Sequence, residues 1–273
     1  GLRTMVLTAK EQICPRKTDG EFVCDPEHCP LAKGYYDKRA AALESLISQY
    51  KGYPAGAISA AAAKHGVCPY ELSLDLSEYC DIIICDYNYA FDPAVRLRRY
   101  FADDAYCGGK NVFLIDEAHN LPERARDIFS ATLTREDIDR LRPAVQGDNL
   151  LCSALDALDK AICRAGDLCE ENMTDRDGVR CGYYFNLNPL PELDDAVARA
   201  LERTELFYFT HRTDTPLASA ASRFRGICKK WQNAADNFDE RYRTYIEKIG
   251  DEVSLKLYCL DPSARLDESL TEA

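Results

Sequence analysis

Two adjacent carboxylates, Asp116 and Glu117, carry the clearest chemical signal in this chain, inside the run N-V-F-L-I-D-E-A-H-N from Asn111 to Asn120. Such a pair at the carboxyl end of a strand can divide its work. One carboxylate holds a hydrated magnesium ion while the other orients or deprotonates a water. The four apolar residues before it, Val112 to Ile115, predict a short strand buried on both faces, and a helix is expected to start near Leu121-Pro122. The plain alternative is a solvated strand end whose acids cap that helix. In open α/β sheets this end of the strands is where ligands bind.

A second chemistry lies earlier. Cys14, Cys24, Cys29 and Cys68 have the spacing C-x9-C-x4-C-x38-C, and Cys14, Cys29 and Cys68 each precede a proline. Proline after a thiolate fixes the turn and removes a backbone donor. Four thiolates suit an iron–sulfur cluster or a tetrahedral zinc, and His28 and His65 beside them keep mixed Cys/His zinc ligation open.

The whole chain limits what these groups can serve. It has 273 residues, enough for one large domain or two smaller ones, and a net charge of −12. That charge argues against indiscriminate adhesion to nucleic acid or anionic membrane and leaves room for a local basic groove. Long aliphatic helices accompany the 13 cysteines, so a reducing, cytoplasmic setting is expected, with some thiols as ligands and the rest as small core residues. No apolar run reaches transmembrane length, and Gly1-Leu2-Arg3 is not expected to begin a signal peptide.

The elements that must position these groups can be read in order. Leu2 to Ala9 predicts a core strand, Leu31 to Tyr50 a helix with Ala32, Tyr35, Tyr36, Ala40, Leu43, Leu46 and Ile47 on its apolar stripe, and Asp81 to Cys85 another strand. A helix carrying Arg96, Arg98 and Arg99 should follow. Beyond Thr134 the three-four spacing of Leu150, Leu151, Ala154, Leu155, Leu158, Ala161, Ile162 and Ala165 predicts a helix, and Glu170 to Gly182 a loop. Pro189 and Pro191 should open a second helix, and Ala220, Phe224, Ile227, Cys228, Trp231 and Ala235 mark a third. Trp231 reads as core rather than as a base-stacking ring. Period-two alternation from Tyr242 to Cys259, broken by Gly250-Asp251, predicts a β-hairpin leading back to the sheet of the carboxylates.

The stretches LTAKEQIC, CPYELS, IIICDYNYAFDP and VFLIDEAHN, in this order, resemble the first motor domain of the XPD/DinG (Rad3-related) iron–sulfur DNA helicases, and LKLYCLDPS resembles the segment where that family re-enters the domain. The resemblance is clear over residues 1–134 and 253–263. It implies an α/β fold: part of a RecA-like parallel sheet, a loop-rich four-cysteine domain, and a mainly helical, arch-like insert ending in a β-hairpin. The implied division is motor domain (1–13), cluster domain (14–79), motor domain with the D-E-A-H box (80–134), arch (135–252) and return (253–273).

The same resemblance implies a [4Fe–4S] cluster on Cys14, Cys24, Cys29 and Cys68. Asp116 would be the magnesium ligand, Glu117 the catalytic carboxylate of ATP hydrolysis, and His119 the relay to neighbouring motifs. The partner implied is single-stranded or forked DNA, unwound 5′ to 3′. Lys10, Lys33 and Lys38 on the cluster side, and Arg223, Arg225, Lys229 and Lys230 on the insert, are the cations expected along its path. One departure stands out. A phosphate loop needs G-x-x-x-x-G-K-[ST], and Gly109-Lys110 has Asp104 and Asn111 at the flanking positions, so an internal stretch of a longer helicase is expected. The competing reading is a non-motor zinc module that binds single strands or a protein.

Overall fold

The computed structural model describes residues 1–16, 24, 29–101, 111–176, 178–212 and 215–271. His28, Cys107 and the Gly109-Lys110 pair lie outside them. The chain divides into two compact units, Gly1–Asn111 and Val112–Ala273.

The first unit is built on three short parallel strands in the order β2-β1-β3: β1 (Thr4–Val6), β2 (Gly52–Tyr53) and β3 (Ile82–Ile84). Between β1 and β2 come α1 (Lys10–Ile13) and α2 (Tyr35–Ile47), and between β2 and β3 come α3 (Ala55–His65) and α4 (Pro69–Ser77). Parallel neighbours need such helical crossovers. Met5, Leu46, Tyr53, Ile58, Leu72 and Leu76 form the centre of the core. The stripe expected on α2 holds for Tyr35, Leu43 and Leu46, whereas Tyr36 is exposed and Ala42 takes its place inside. After β3, α5 (Asn88–Phe91) precedes the three-arginine segment, which is no continuous helix. It makes a single 3₁₀ turn, Arg98–Tyr100. The Arg99 guanidinium accounts for the difference: it donates to the Leu74 carbonyl (2.9 Å) and Glu78 (2.6 Å), tying the segment to α4 rather than to its own backbone.

The second unit is an antiparallel sheet of five strands in the order β4-β8-β7-β6-β5. These are β4 (Ala131–Thr134), β5 (Thr174–Arg176), β6 (Val179–Asn186), β7 (Tyr242–Ile249) and β8 (Glu252–Cys259). The period-two hairpin is present as β7 and β8, joined where Gly250 takes a positive φ of 60°. Its neighbours are β6 on one side and β4 on the other. The helices are α6 (Leu121–Phe129), α7 (Arg135–Leu141), α8 (Asn149–Asp167), α9 (Pro191–Thr210), α10 (Thr215–Asp236) and α11 (Ser263–Thr271). Thr134 and Asp137 close a capping box on α7, and Asp148 caps α8.

One face of the sheet, with Leu133, Tyr242, Ile246, Val253, Leu255 and Leu257, packs on the apolar stripes of α8, α9 and α10. Gly166 lets α8 close on β8, since a Cβ there would meet Val253 Cγ2 at 2.7 Å. The insert is thus less purely helical than its periodicity suggests. Much of the expected loop 170–182 is instead a 3₁₀ turn (Leu168–Asn172) and the β5–β6 hairpin.

Val112 to Ile115 also departs from expectation: it carries no strand, and Val112 and Leu114 are 87% and 93% exposed. A doubly buried strand needs a partner along each edge. Among the described residues neither sheet includes this run in its ladders.

Candidate functional site

Asp116 and Glu117 stand where the extended run turns into a 3₁₀ turn, Ala118–Asn120, which feeds α6. Glu117 holds the left-handed conformation, φ 49° and ψ 42°, the only non-glycine to do so among the described residues. Such a backbone costs a bulky L-residue about 1–2 kcal/mol, and strained positions of this kind cluster at functional sites. Two local bonds hold the turn. The Glu117 N–H donates to Asp116 Oδ1 (3.0 Å), and the Asn120 N–H donates to the Glu117 carbonyl (2.9 Å). His119 Nδ1 lies 3.3 Å from Glu117 Oε2. The three polar side chains expected to act together therefore share one exposed turn, with Glu117 between the other two in contact order.

Two of the four cysteines, Cys14 and Cys68, sit at helix ends. Cys14 follows α1, its N–H donating to the Lys10 carbonyl (3.0 Å). The Cys29 carbonyl accepts from the N–H groups of Ala32 and Lys33, and Cys68 is the buried residue that starts α4 ahead of Pro69. All four are free thiols. Burial pushes the Cys68 thiol up, while the backbone N–H groups of Glu71 and Tyr70 and the nearby Lys10 pull it back. Lys10 interacts with Cys24 and Cys68: burial pulls its ammonium down, and Cys24, Glu71 and Cys68 together raise it above the ordinary lysine value. Its Nζ also sits 5.1 Å from the centre of the Tyr70 ring. The donor chemistry suits a thiolate-held centre, yet among the described residues no three potential ligands gather closely enough to hold a metal. The Nε2 of His65 is buried without a hydrogen-bond partner.

The expected cations fall into two groups. Lys33 and Lys38 are exposed near the start of α2, and Arg39 between Tyr36 and Asp75 is an ion-paired residue (2.9 Å). On α10, Lys229 (2.7 Å) and Arg225 (3.7 Å) pair with Glu205 of α9, and Lys230 donates to the Asp127 carbonyl (2.9 Å). Arg223 is exposed. Trp231 is fully buried, as expected of a core residue, and its Nε1–H donates to Asp194 (2.8 Å). That bond, the Glu117 backbone and the interaction of Lys10 with Cys24 and Cys68 carried no signal in the sequence beyond residue type.

The sequence pattern of the DEAD_2 family matches residues 2–138. The chain belongs to the DEAD_2 family. The XPD/Rad3-like resemblance read from its motifs is thereby borne out. Among curated relatives, a Fanconi anemia group J protein homolog of Gallus gallus is 30% identical over 101 residues, 37% of this chain and 8% of that protein. Regulator of telomere elongation helicase 1 of Homo sapiens is 34% identical over 100 residues, covering 37% of this chain and 7% of that protein. The chain thus matches less than a tenth of these relatives' length. A solved structure titled XPD_Helicase aligns with 94% of this chain and 46% of its own, at 14% identity and a TM-score of 0.41. The DEAD_2 match takes in Asp116, Glu117, His119 and all four candidate metal cysteines, while Arg223 and Lys229 lie beyond it.

Proposed function

We propose that this DEAD_2 chain is part of an ATP-dependent DNA helicase that moves 5′ to 3′ on single-stranded or forked DNA. The observation that carries the reading is the turn at 116–119. A family match spans it, and a strained backbone presents Glu117 between Asp116 and His119. In this reading the parallel strands of the first unit belong to a RecA-like sheet. Asp116 would hold hydrated magnesium against the phosphates of ATP, Glu117 would orient the attacking water, and His119 would sense the nucleotide state through its contact with Glu117. Cys14, Cys24, Cys29 and Cys68 would hold a [4Fe–4S] cluster whose part is structural. Lys10, Lys33 and Lys38, with Arg223 and Lys229 on the arch-like insert, would follow the DNA backbone.

Phosphoryl transfer also needs a phosphate cradle and a facing arginine. The 273 residues contain no G-x-x-x-x-G-K-[ST] run, so by themselves they should hydrolyse no ATP above background. Joined to a family phosphate loop and second motor domain, the chain should show DNA-stimulated hydrolysis, which Glu117→Gln should abolish while ATP and DNA binding stay near wild type. Normal turnover by that variant would remove Glu117 from the role assigned here.

The zinc-module reading is kept by one observation, the unpartnered Nε2 of His65. Iron, sulfide and zinc analysis after anaerobic purification separates the two: about four irons per chain supports the cluster, and stoichiometric zinc without iron excludes it.

A further inference from the structure

The buried face of the antiparallel sheet accounts for alternate residues of its strands, and the other alternate set is a different kind of surface. Phe185, Tyr245, Lys256 and Thr132 stand side by side across β6, β7, β8 and β4, paired in register as Phe185↔Tyr245, Tyr245↔Lys256 and Thr132↔Lys256. Arg243 and Tyr258 are the neighbouring pair on the same face, and Tyr183 precedes Phe185 by one pleat. Tyr183 and Phe185 are more than half exposed, and Tyr245, Lys256 and Tyr258 are partly so. Core strands place such rings inward. Here the inward positions are filled by Ile246, Leu255 and Leu257, so the aromatic set is not needed by the core.

Charge is divided along this face. Glu247 and Glu252 lie toward the Gly250 turn, whereas Arg243 and Lys256 lie at the other end, among the rings. The Lys256 ammonium sits 4.3 Å from the centre of the Tyr258 ring, and two backbone carbonyls, of Glu240 and Tyr242, hold the Arg243 guanidinium (2.6 Å each). Along β7 and β8 a cation lies one pleat from a ring, Arg243 before Tyr245 and Lys256 before Tyr258, with strands about 4.8 Å and pleats about 6.8 Å apart. Flat π-faces accept bases of any sequence, and interleaved cations accept the phosphates between them.

From this face we propose that the outer surface of β6, β7 and β8 is a stacking platform for single-stranded nucleic acid. Phe185 and Tyr245 are the principal base-stacking rings, and Lys256 and Arg243 are the phosphate contacts. A polyanion fits this end of the sheet better than an acidic protein segment, because Arg243 and Lys256 flank Tyr245 there while the nearest carboxylate of the face, Glu247 opposite Tyr183, lies one pleat away toward the Gly250 turn. The proposal rests on the helicase reading only in expecting the strand to be DNA. It involves no nucleotide hydrolysis, so either can fail without the other.

The test uses the whole chain and 5′-labelled dT15 and rU15, read by fluorescence anisotropy at low and moderate salt. Phe185→Ala with Tyr245→Ala should weaken binding about ten-fold or more with an unchanged melting temperature, while Tyr245→Phe keeps the wild-type affinity. Lys256→Gln should flatten the salt dependence by about 0.7 in log–log slope, the loss of one phosphate contact on a single strand. Photocross-links from 4-thiothymidine should map to β6, β7 or β8. The proposal is overturned if wild type binds neither oligonucleotide at low salt. It also falls if the double variant binds as wild type, or if cross-links fall only on other surfaces. A double variant that keeps oligonucleotide affinity but loses a protein ligand would mark this face as a protein-docking surface instead.

Discussion

The two units of this chain solve the same burial problem in opposite ways. In the second unit a five-stranded antiparallel sheet lies under three amphipathic helices, and its core buries Trp231, Phe224, Tyr242 and a continuous aliphatic layer. In the first, three strands of two or three residues carry the sheet, and Ile82 and Ile84 of β3 remain largely exposed. Short parallel strands with a half-covered edge cannot supply much of their own stability. The candidate metal thiols Cys14, Cys24, Cys29 and Cys68 all fall in that poorer unit. A bound metal adds folding free energy where a core is thin, so the contrast predicts where metal loss is felt.

The largest effect expected is therefore selective. Cys68→Ser, or iron chelation of anaerobically purified protein, should release the metal and open residues 14–79 to protease and hydrogen exchange. The five-stranded sheet should keep its protection. Equal loosening of both units would erase the distinction between them. Next in size is Trp231→Ala, which empties a fully buried site and leaves Asp194 without its donor. About 3–5 kcal/mol should be lost from the second unit in urea unfolding, while the first unit's transition stays in place.

The smallest effect concerns pH. Burial raises the Asp194 carboxyl above its ordinary value, with the Trp231 hydrogen bond opposing. A raised carboxyl contributes stability that is complete below the unfolded-state value, about 3.9, and is lost as pH climbs through the folded-state value. Asp194→Asn keeps an oxygen for Trp231 and removes that loss. The variant should equal or exceed wild type at pH 7, and its advantage should shrink as pH falls toward 4. An advantage that grows toward low pH would contradict the assigned cause.

What could be read from the sequence follows the same division. The stripes of α8, α9 and α10 were legible because each helix buries one face against a large neighbour, so periodicity and structure agree. The β7–β8 hairpin was legible from strict alternation around Gly250-Asp251. The β5–β6 hairpin was not, because Asp175, Asp177 and Gly178 read as loop and its outward Tyr183 and Phe185 break the apolar-in pattern. Arg98 and Arg99 resembled a helix face until the bond from Arg99 to Leu74 decided their backbone. For the candidate site, residue type and order at 116–119 and at the four cysteines could be read directly. The left-handed Glu117, and the placement of Lys10 beside Cys24 and Cys68, depend on three-dimensional neighbours that spacing does not encode.

The pairing of β4 with β8 has a kinetic side. Cys259 donates its backbone N–H to the Ser130 hydroxyl across 129 residues of sequence, and Ala131 pairs with Leu257. At about 5–20 residues per second, β4 would leave the ribosome some 6–26 seconds before the strand that completes its ladder. Closing so long a loop makes this ladder a late event, after the local β7–β8 hairpin and the α9–α10 pair have formed. During that interval Leu133 and the open edge of β4 need protection from other chains. Co-translational chaperone dependence should thus concentrate on nascent chains whose exit has passed residue 134 and has not reached residue 257.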